Sequence, residues 1–288
     1  MNDCLQDRHY QKLSQLMEQH TGIQLPASKR TMLEGRLRKR VRDLRLSGLD
    51  AYGANLFEKG RLAEEFPFIV DCVTTNTTDF FREPDHFDFL RDHAIPTLLR
   101  APDRAGADVK LWSAASSIGV EAYTIAIVLA MMQDSKTRFR YSILGTDICS
   151  TVLEQARRAV YPAAMLSAVP EKIMKRYVMR AAKADREDVR IVPELRRLVR
   201  FEHLNLMDES YPFDRDVDVI FCRNVLIYFA RSVQQKVLER LISHLRPNGY
   251  LILGHSESFA LDDKTSMRQV LPTVFQRISG ERLAGRAA

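Results

Sequence analysis

Two acids, Glu121 and Asp147, stand where ligand chemistry is most legible in this chain. Glu121 follows a loop of small residues that includes Gly119, and Asp147 closes an apolar run at Gly145-Thr146. An acid beside such a loop can accept an ammonium group, and an acid at a strand tip can accept hydrogen bonds from ribose hydroxyls. A plainer role is open to Glu121 as well, since any acid favours the first turn of a helix. The elements that must position these residues are a strand over Val109–Ala115, a helix, and a strand over Tyr141–Thr146. In the helix Ile125, Val128, Leu129 and Met132 recur about one turn apart, as a packed face requires. Strand, glycine turn, helix, strand and acid form the first half of a nucleotide-binding α/β sheet. One glycine cannot supply the close backbone approach that a pyrophosphate needs, which disfavours NAD and FAD. A nucleoside without phosphates fits better. S-adenosylmethionine is the common one, with Glu121 placed for its ammonium group.

At 288 residues the chain can bury a substantial core and divide into about two domains. No stretch approaches the ~18 uninterrupted apolar residues of a membrane span, and Met1–Arg8 has no apolar signal core. A soluble cytoplasmic protein is expected. Cys4, Cys72, Cys149 and Cys222 lack metal-ligand spacing, and the seven histidines include no His-x-x-x-His pair. No metal and no disulfide framework are therefore expected.

The net charge of +6 is concentrated in one place. Residues 29–45, KRTMLEGRLRKRVRDLR, hold eight basic and two acidic side chains, an excess equal to that of the whole chain. They sit in a helical region. A first helix carries Tyr10, Leu13, Leu16, Met17 and His20 and is stopped by Gly22. The basic helix is introduced by Pro26 and Ser28, striped by Leu33, Leu37, Val41 and Leu44, and ended by Gly48. Shorter helices are expected near Ala51–Phe57 and Leu62–Cys72. The basic face is either a solvated helix surface or a docking surface for an acidic partner. It has no interleaved aromatics for base stacking, so an acidic protein helix suits it better than nucleic acid.

After a polar run at 74–83, Leu90–Leu99 is expected as a helix before the central unit. Beyond Asp147 a helix over Ser150–Val160 is broken by Tyr161-Pro162, and Pro170–Arg180 has the pattern of another. The charged turn Ala181–Asp188, between Arg176–Met179 and Val189–Val192, suggests a small β-hairpin protruding from the sheet. Strands follow at Arg200–Leu206, Val217–Cys222, Tyr250–Gly254 and, last, Thr273–Ile278, with a helix over Ser232–Leu245 and a turn at Arg246–Gly249. The run Val217–Cys222 is apolar enough to be buried on both faces, and it delivers Arg223-Asn224 at the end where α/β sheets bind ligands.

Six stretches, in order, resemble the chemotaxis receptor methyltransferase family (CheR), which methylates receptor glutamates with S-adenosylmethionine. They are TTNTTDFFRE (74–83), LWSAASSIGVEAYTIA (111–126), GTDI (145–148), NL (205–206), FCRNVLIYF (221–229) and GHSES (254–258). The resemblance covers essentially the whole chain. It implies an α/β fold of the class I S-adenosylmethionine-dependent methyltransferase type: a seven-stranded doubly wound sheet with the last strand antiparallel, carrying a small inserted β-subdomain at about 170–196. An all-α N-terminal domain precedes it. Residues 1–72 would be the helical receptor-docking domain and 73–288 the methyltransferase domain.

Carried over by motif, Asn76, Thr78 and Arg82 would line the ligand and methyl-transfer region, with Gly119 in the cofactor loop. Glu121 would hold the methionine end and Asp147 the ribose; Asn205 and Leu206 would flank the adenine, and Arg223 and Asn224 would lie beneath the methionine part. Tyr228 would sit near the transferring methyl group, leaving S-adenosylhomocysteine as product. Arg36, Arg38, Arg40, Arg42 and Arg45 would form the docking face for acidic methylation helices of chemoreceptors. Some family members also dock a receptor C-terminal peptide on the β-subdomain. A monomer is the expected state. Relatives usually carry Gly-Glu-Glu-Pro-Tyr at the loop, where this chain has Gly119-Val-Glu-Ala-Tyr123.

Methyl transfer from a sulfonium is an in-line displacement, and a glutamate nucleophile with a pKa of about 4.3 is already ionised at neutral pH. No general base is required, and Arg82 and Tyr228 are assigned to orienting the reactants. Three other readings compete with this one. A nucleic-acid methyltransferase would carry Asn/Asp-Pro-Pro-aromatic where Asn224-Val-Leu-Ile-Tyr228 stands, and a hydrolase would need a glycine at Ser258. A docking or ligand-sensing module without transfer activity is the rival that Val120 and Ala122 favour.

Overall fold

Four helices open the chain: α1 (Asp7–Thr21), α2 (Arg30–Asp43), α3 (Leu49–Phe57) and α4 (Leu62–Val73). Apolar residues one turn apart build their shared core. Leu13 and Met17 of α1 and Leu33, Leu37 and Val41 of α2 are buried with Leu49, Tyr52 and Ile69. Gly22 caps α1 in the left-handed region at φ +73°, and a Cβ there would lie 2.8 Å from the Met207 sulfur. Glycine therefore both ends the helix and lets its tip approach the next domain. Helix α2 stops at Asp43, before the Gly48 boundary read from the sequence; Arg45 takes a positive φ, and Gly48 instead precedes α3.

The computed structural model describes residues 3–74, 76–101, 108–135, 138–167, 169–180, 187–257 and 266–278. The short helices α5 (Pro84–Phe89) and α6 (Ile95–Leu99), joined by a π-helical turn, lead into β1 (Asp108–Ala114), α7 (Val120–Asp134), β2 (Arg140–Asp147) and α8 (Ser150–Arg158). Next come β3 (Val160–Pro162), α9 (Glu171–Tyr177), β4 (Val178–Arg180), β5 (Asp188–Ile191), α10 (Pro193–Arg196) and β6 (Val199–His203). The chain continues through β7 (Val217–Cys222), α11 (Arg231–His244), β8 (Leu245–Leu253), β9 (Met267–Leu271) and β10 (Val274–Arg277).

Seven strands form one sheet in the order β6-β2-β1-β7-β8-β10-β9. The first five are parallel, and β10 is antiparallel to both its neighbours. Alternate residues feed the two faces: Leu111, Val219 and Phe221 join Ile125 and Leu129 of α7, while Trp112 and Ile220 join Val237 and Leu241 of α11. Every residue of β7 is buried, as its nearly continuous apolar run requires, and the one acid in it, Asp218, accepts from the Lys110 N–H (2.8 Å) and pairs with Arg246 (3.2 Å). This is the doubly wound class I methyltransferase sheet. A second, antiparallel sheet has the order β3-β5-β4.

Several expectations change at this level. The helix read over Pro170–Arg180 divides into α9 and β4, because Val178 pairs with Ile191 across the small sheet. That sheet also recruits Val160–Pro162, so it begins before residue 170. The turn at Arg246–Gly249 lies within β8 as a register shift between pairs Val217–Leu245 and Val219–Tyr250. Strand β9 was not expected; its side chains are mostly exposed, so it lacks an apolar alternation. Thr75, most of the charged turn (181–186) and Ser258 lie outside the described residues. No described helix is long and apolar enough to cross a membrane.

Candidate functional site

The site forms at the carboxyl end of β1, where the strand order turns from β2 on one side to β7 on the other. Chain direction reverses through Ala115 and Ser117, both at positive φ. The Ser116 N–H donates to the Thr146 carbonyl (2.8 Å), and the Ser117 N–H donates to the Asp147 carboxylate (2.8 Å), which also accepts from the Cys149 N–H (2.9 Å). Asp147 thus braces the loop while lining a cavity of about 350 Å³. Burial pushes its carboxyl up, and the two N–H groups oppose that shift.

Gly119 is held by packing around its backbone. It does not line the cavity; it precedes α7 at φ +83°, and a Cβ would meet Ala156 and Phe201 at 2.8 Å. Close packing of the turn against α8 and β6 requires it. Ala115, Ser116 and Ser117 supply the cavity-facing backbone instead.

The remaining residues singled out by sequence do line the cavity. Asn76, Thr78 and Arg82 come from the segment between α4 and α5, with Glu121 at the head of α7. Asn205 and Leu206 follow β6, and Arg223, Asn224 and Tyr228 follow β7. Ile148, Leu204 and Leu206 add apolar surface beside Asp147. An acid for hydroxyls, a second acid deeper in, and an apolar flank make a donor set suited to a nucleoside with an ammonium group.

Arg223 ties the deep end together. Its side chain, 2% exposed, pairs with Glu83 at 3.0 Å and Glu121 at 3.1 Å. Ser113 adds a 2.7 Å hydrogen bond to Glu121, and Asn224 donates to Glu83 at 3.1 Å. Burial raises the Glu121 carboxyl, opposed by Arg223 and Ser113. Burial works in the same sense on Glu83, yet the Arg223 charge and the hydrogen bonds hold it below its ordinary value. With two carboxylates on one guanidinium, the cluster keeps one negative charge in excess, which suits an incoming ammonium. Glu257, fully buried, accepts from the N–H groups of Asn224 (2.8 Å), Val225 (2.8 Å), Leu226 (2.7 Å) and Gly254 (2.7 Å). It fixes the loop that carries Asn224 and Tyr228. Neither Glu83 nor Glu257 was assigned a role, although both lie inside the recognised motifs.

Lys29 also went unassigned: its Nζ stands 5.0 Å over the Tyr228 ring, and it lines the cavity from the helical domain. Arg82 donates to the Thr77 carbonyl at 3.0 Å. Val120 and Ala122, the departures at the loop, are fully buried in the sheet core, and neither lines the cavity.

The basic face is narrower than its sequence suggested. Arg36 donates to the carbonyls of Cys72, Val73 and Thr74 at 3.0–3.1 Å. Arg40 clasps Glu65 at 2.8 and 2.7 Å and stacks 3.6 Å over Phe68, and Arg38 bonds the Asp3 carbonyl at 2.7 Å. These arginines hold the helical domain together. Arg42 and Arg45 are exposed, and no ion pair engages them among the described residues.

Glu83, His86 and His255 place ligand-type atoms within 4.8 Å of one another. Spacing rules missed this group because its members come from distant segments. Glu83 is already satisfied by Arg223 and Asn224, and a dication would sit beside the guanidinium, so the group is better described as part of the Arg223 network.

Comparison with known proteins gives two family matches: "CheR methyltransferase, all-alpha domain" over residues 8–74 and "CheR methyltransferase, SAM binding domain" over residues 76–275. The chain is 38% identical over 257 residues to the chemotaxis protein methyltransferase of Escherichia coli (strain K12), covering 89% of this chain and 86% of that one. It is 38% identical over 250 residues to chemotaxis protein methyltransferase 2 of Pseudomonas aeruginosa, covering 87% and 86%. With the Vibrio parahaemolyticus chemotaxis protein methyltransferase the identity is 36% over 277 residues, 95% of this chain and 98% of that one.

Proposed function

This chain belongs to the CheR methyltransferase family, with S-adenosylmethionine as its cofactor, and on that footing we propose that its acceptors are glutamate side-chain carboxylates on cytoplasmic helices of chemoreceptors. The observation that carries this reading is the placing of Arg82 and Tyr228 on one cavity with Glu121 and Asp147, and of Lys29 from the basic helical domain over Tyr228. Bound S-adenosylmethionine supplies a methyl group on a sulfonium, electrophilic without further activation.

The protein's part is to bind, orient and screen. Glu121, held in place by Arg223, would accept the ammonium end. Asp147 would accept from the ribose hydroxyls, and Ile148 and Leu206, which line the cavity beside it, would face the purine. Arg82 and Tyr228 align the acceptor carboxylate, which is ionised at neutral pH and needs no base. The exposed Lys39, Arg42 and Arg45 would draw in an acidic receptor helix. The rival reading of a docking module without transfer rested on Val120 and Ala122. Both are core residues here, so they take nothing from the cavity.

Peptide mapping by mass spectrometry tests the acceptor. Receptor cytoplasmic fragments incubated with the protein and S-adenosylmethionine are expected to gain methyl groups on glutamates of their acidic helices. Methyl groups confined to lysine or histidine would contradict the proposal.

A further inference from the structure

Among the described residues four large apolar side chains stay nearly half exposed: Phe68, Met179, Ile227 and Leu271. Arg40 stacks over Phe68, and Met179 and Leu271 belong to the edge strands β4 and β9. Ile227 stands elsewhere. It lies on the loop after β7 that brings Asn224 and Tyr228 to the cavity.

That loop makes a single 3₁₀ turn over Leu226–Tyr228. With three residues per turn, successive side chains leave the axis about 120° apart. Leu226 goes into the core, fully buried, and Tyr228 lines the cavity. Ile227, 46% exposed, is left to face solvent beside the residue assigned to the methyl group. The turn is pinned from both sides. Glu257 accepts from the N–H groups of Asn224, Val225 and Leu226, and the Gln234 amide donates to the carbonyls of Leu226 (2.8 Å) and Phe229 (3.0 Å). An apolar side chain is thus held in water on a rigid support, and a partner that covers it recovers the free energy of burial with little loss of freedom.

From this placement we propose that Ile227 is a positioning residue for the acceptor: it is the apolar anchor of the receptor helix, set against an apolar side chain one helical turn from the acceptor glutamate. This rests on the reading of glutamate acceptors given above and deepens it by naming a contact that selects among them. The scale fits. The Cα atoms of Ile227 and Tyr228 are about 3.8 Å apart, and side chains three or four positions apart on a helix stand about 5–6 Å apart. A helix that delivers a glutamate to Tyr228 therefore lays a neighbouring turn over Ile227. Lys39, Arg42 and Arg45 attract any acidic helix, whereas an apolar contact beside the reacting centre discriminates between glutamates of equal charge.

Steady-state kinetics with a receptor cytoplasmic fragment test this. Ile227→Ala is expected to raise KM for the fragment about five- to tenfold. It should change kcat by less than about twofold and leave the calorimetric Kd for S-adenosylhomocysteine at the wild-type value. A fragment whose apolar residues one turn to either side of a methylated glutamate are replaced by asparagine should raise the wild-type KM by a similar factor. Ile227→Ala should add little to that rise, because the two changes remove one contact. An unchanged KM in Ile227→Ala would overturn the inference, and so would two rises that multiply. A weaker Kd for S-adenosylhomocysteine would overturn it as well, since Ile227 would then act through the cofactor. Each of these results leaves transfer to glutamate standing. Methyl groups confined to lysine or histidine of the fragment with the wild type would overturn the acceptor reading and this inference together.

Discussion

At the scale of single residues the site depends on side chains that hold one another. Arg82 and Tyr228 are the groups assigned to the reacting centre, both on the cavity wall. Arg82→Ala and Tyr228→Phe are each expected to lower kcat by at least about tenfold, a modest share of what one misplaced orienting group costs. Steady-state kinetics with a receptor fragment reads this; unchanged turnover in both variants would remove them from the mechanism. A second expectation concerns His86, 1% exposed, whose pKa is pushed down to about 4 by burial and then by the Arg223 charge. Glu83, Asp85 and His255 also face it. Because the folded value lies below the ordinary 6.5, the unfolded chain binds a proton between those pH values that the folded chain refuses. Stability therefore falls as pH drops from about 6.5 towards 4, by up to ~1.4 kcal/mol per pH unit. Denaturant unfolding at pH 7 and pH 5 should show that loss, and His86→Asn should flatten it; an equal slope in the variant would contradict the assignment. Glu121 and Asp147 were legible because an acid after a small-residue loop and an acid at a strand tip are placed by local pattern. Gly119 signals close backbone approach by its type alone, and only the fold shows that Ala156 and Phe201 are among what it approaches. Positive φ at Ala115 and Ser117 leaves no mark in residue type.

At the scale of elements, the loop after β7 is shaped by a residue that comes more than thirty positions later, Glu257. Replacing it with glutamine swaps one acceptor oxygen for a donor facing backbone N–H groups. Glu257→Gln is expected to cost about 1–3 kcal/mol of stability, and to lower kcat/KM through the displaced Asn224 and Tyr228. Thermal unfolding and kinetics read the two effects, and a variant with wild-type kcat/KM would show that the loop holds its shape without Glu257. Strands with strong local pattern were legible from sequence: β7 matches the run Val217–Cys222, apolar but for Asp218, to the residue. The hairpin around the charged turn was legible as well, and β4 and β5 pair there; β9 and the three-residue β3 were not, since their shape depends on pairing with a neighbour rather than on their own residues. The same limit applies to the basic helix. Its charge was countable, but Arg36 and Arg40 turn inward to carbonyls and to Glu65, partners that only packing brings near.

At the scale of the whole molecule, a helical domain with a residual basic face sits on a methyltransferase sheet, and one cavity is shared by both. The exposed Arg42 and Arg45 should act by long-range attraction. Arg42→Glu with Arg45→Glu is expected to raise KM for a receptor fragment several-fold, with the largest difference from wild type at low salt. A KM indistinguishable from wild type at low salt would place receptor docking elsewhere. The central claim is that methyl groups pass to carboxylates. The measurement that tests it most directly supplies methyl-labelled S-adenosylmethionine with chemoreceptor cytoplasmic fragments and then exposes the product to mild alkali. Label carried by the receptor and released as methanol is the result expected of a glutamate methyl ester; label that stays on the receptor through alkali would contradict it.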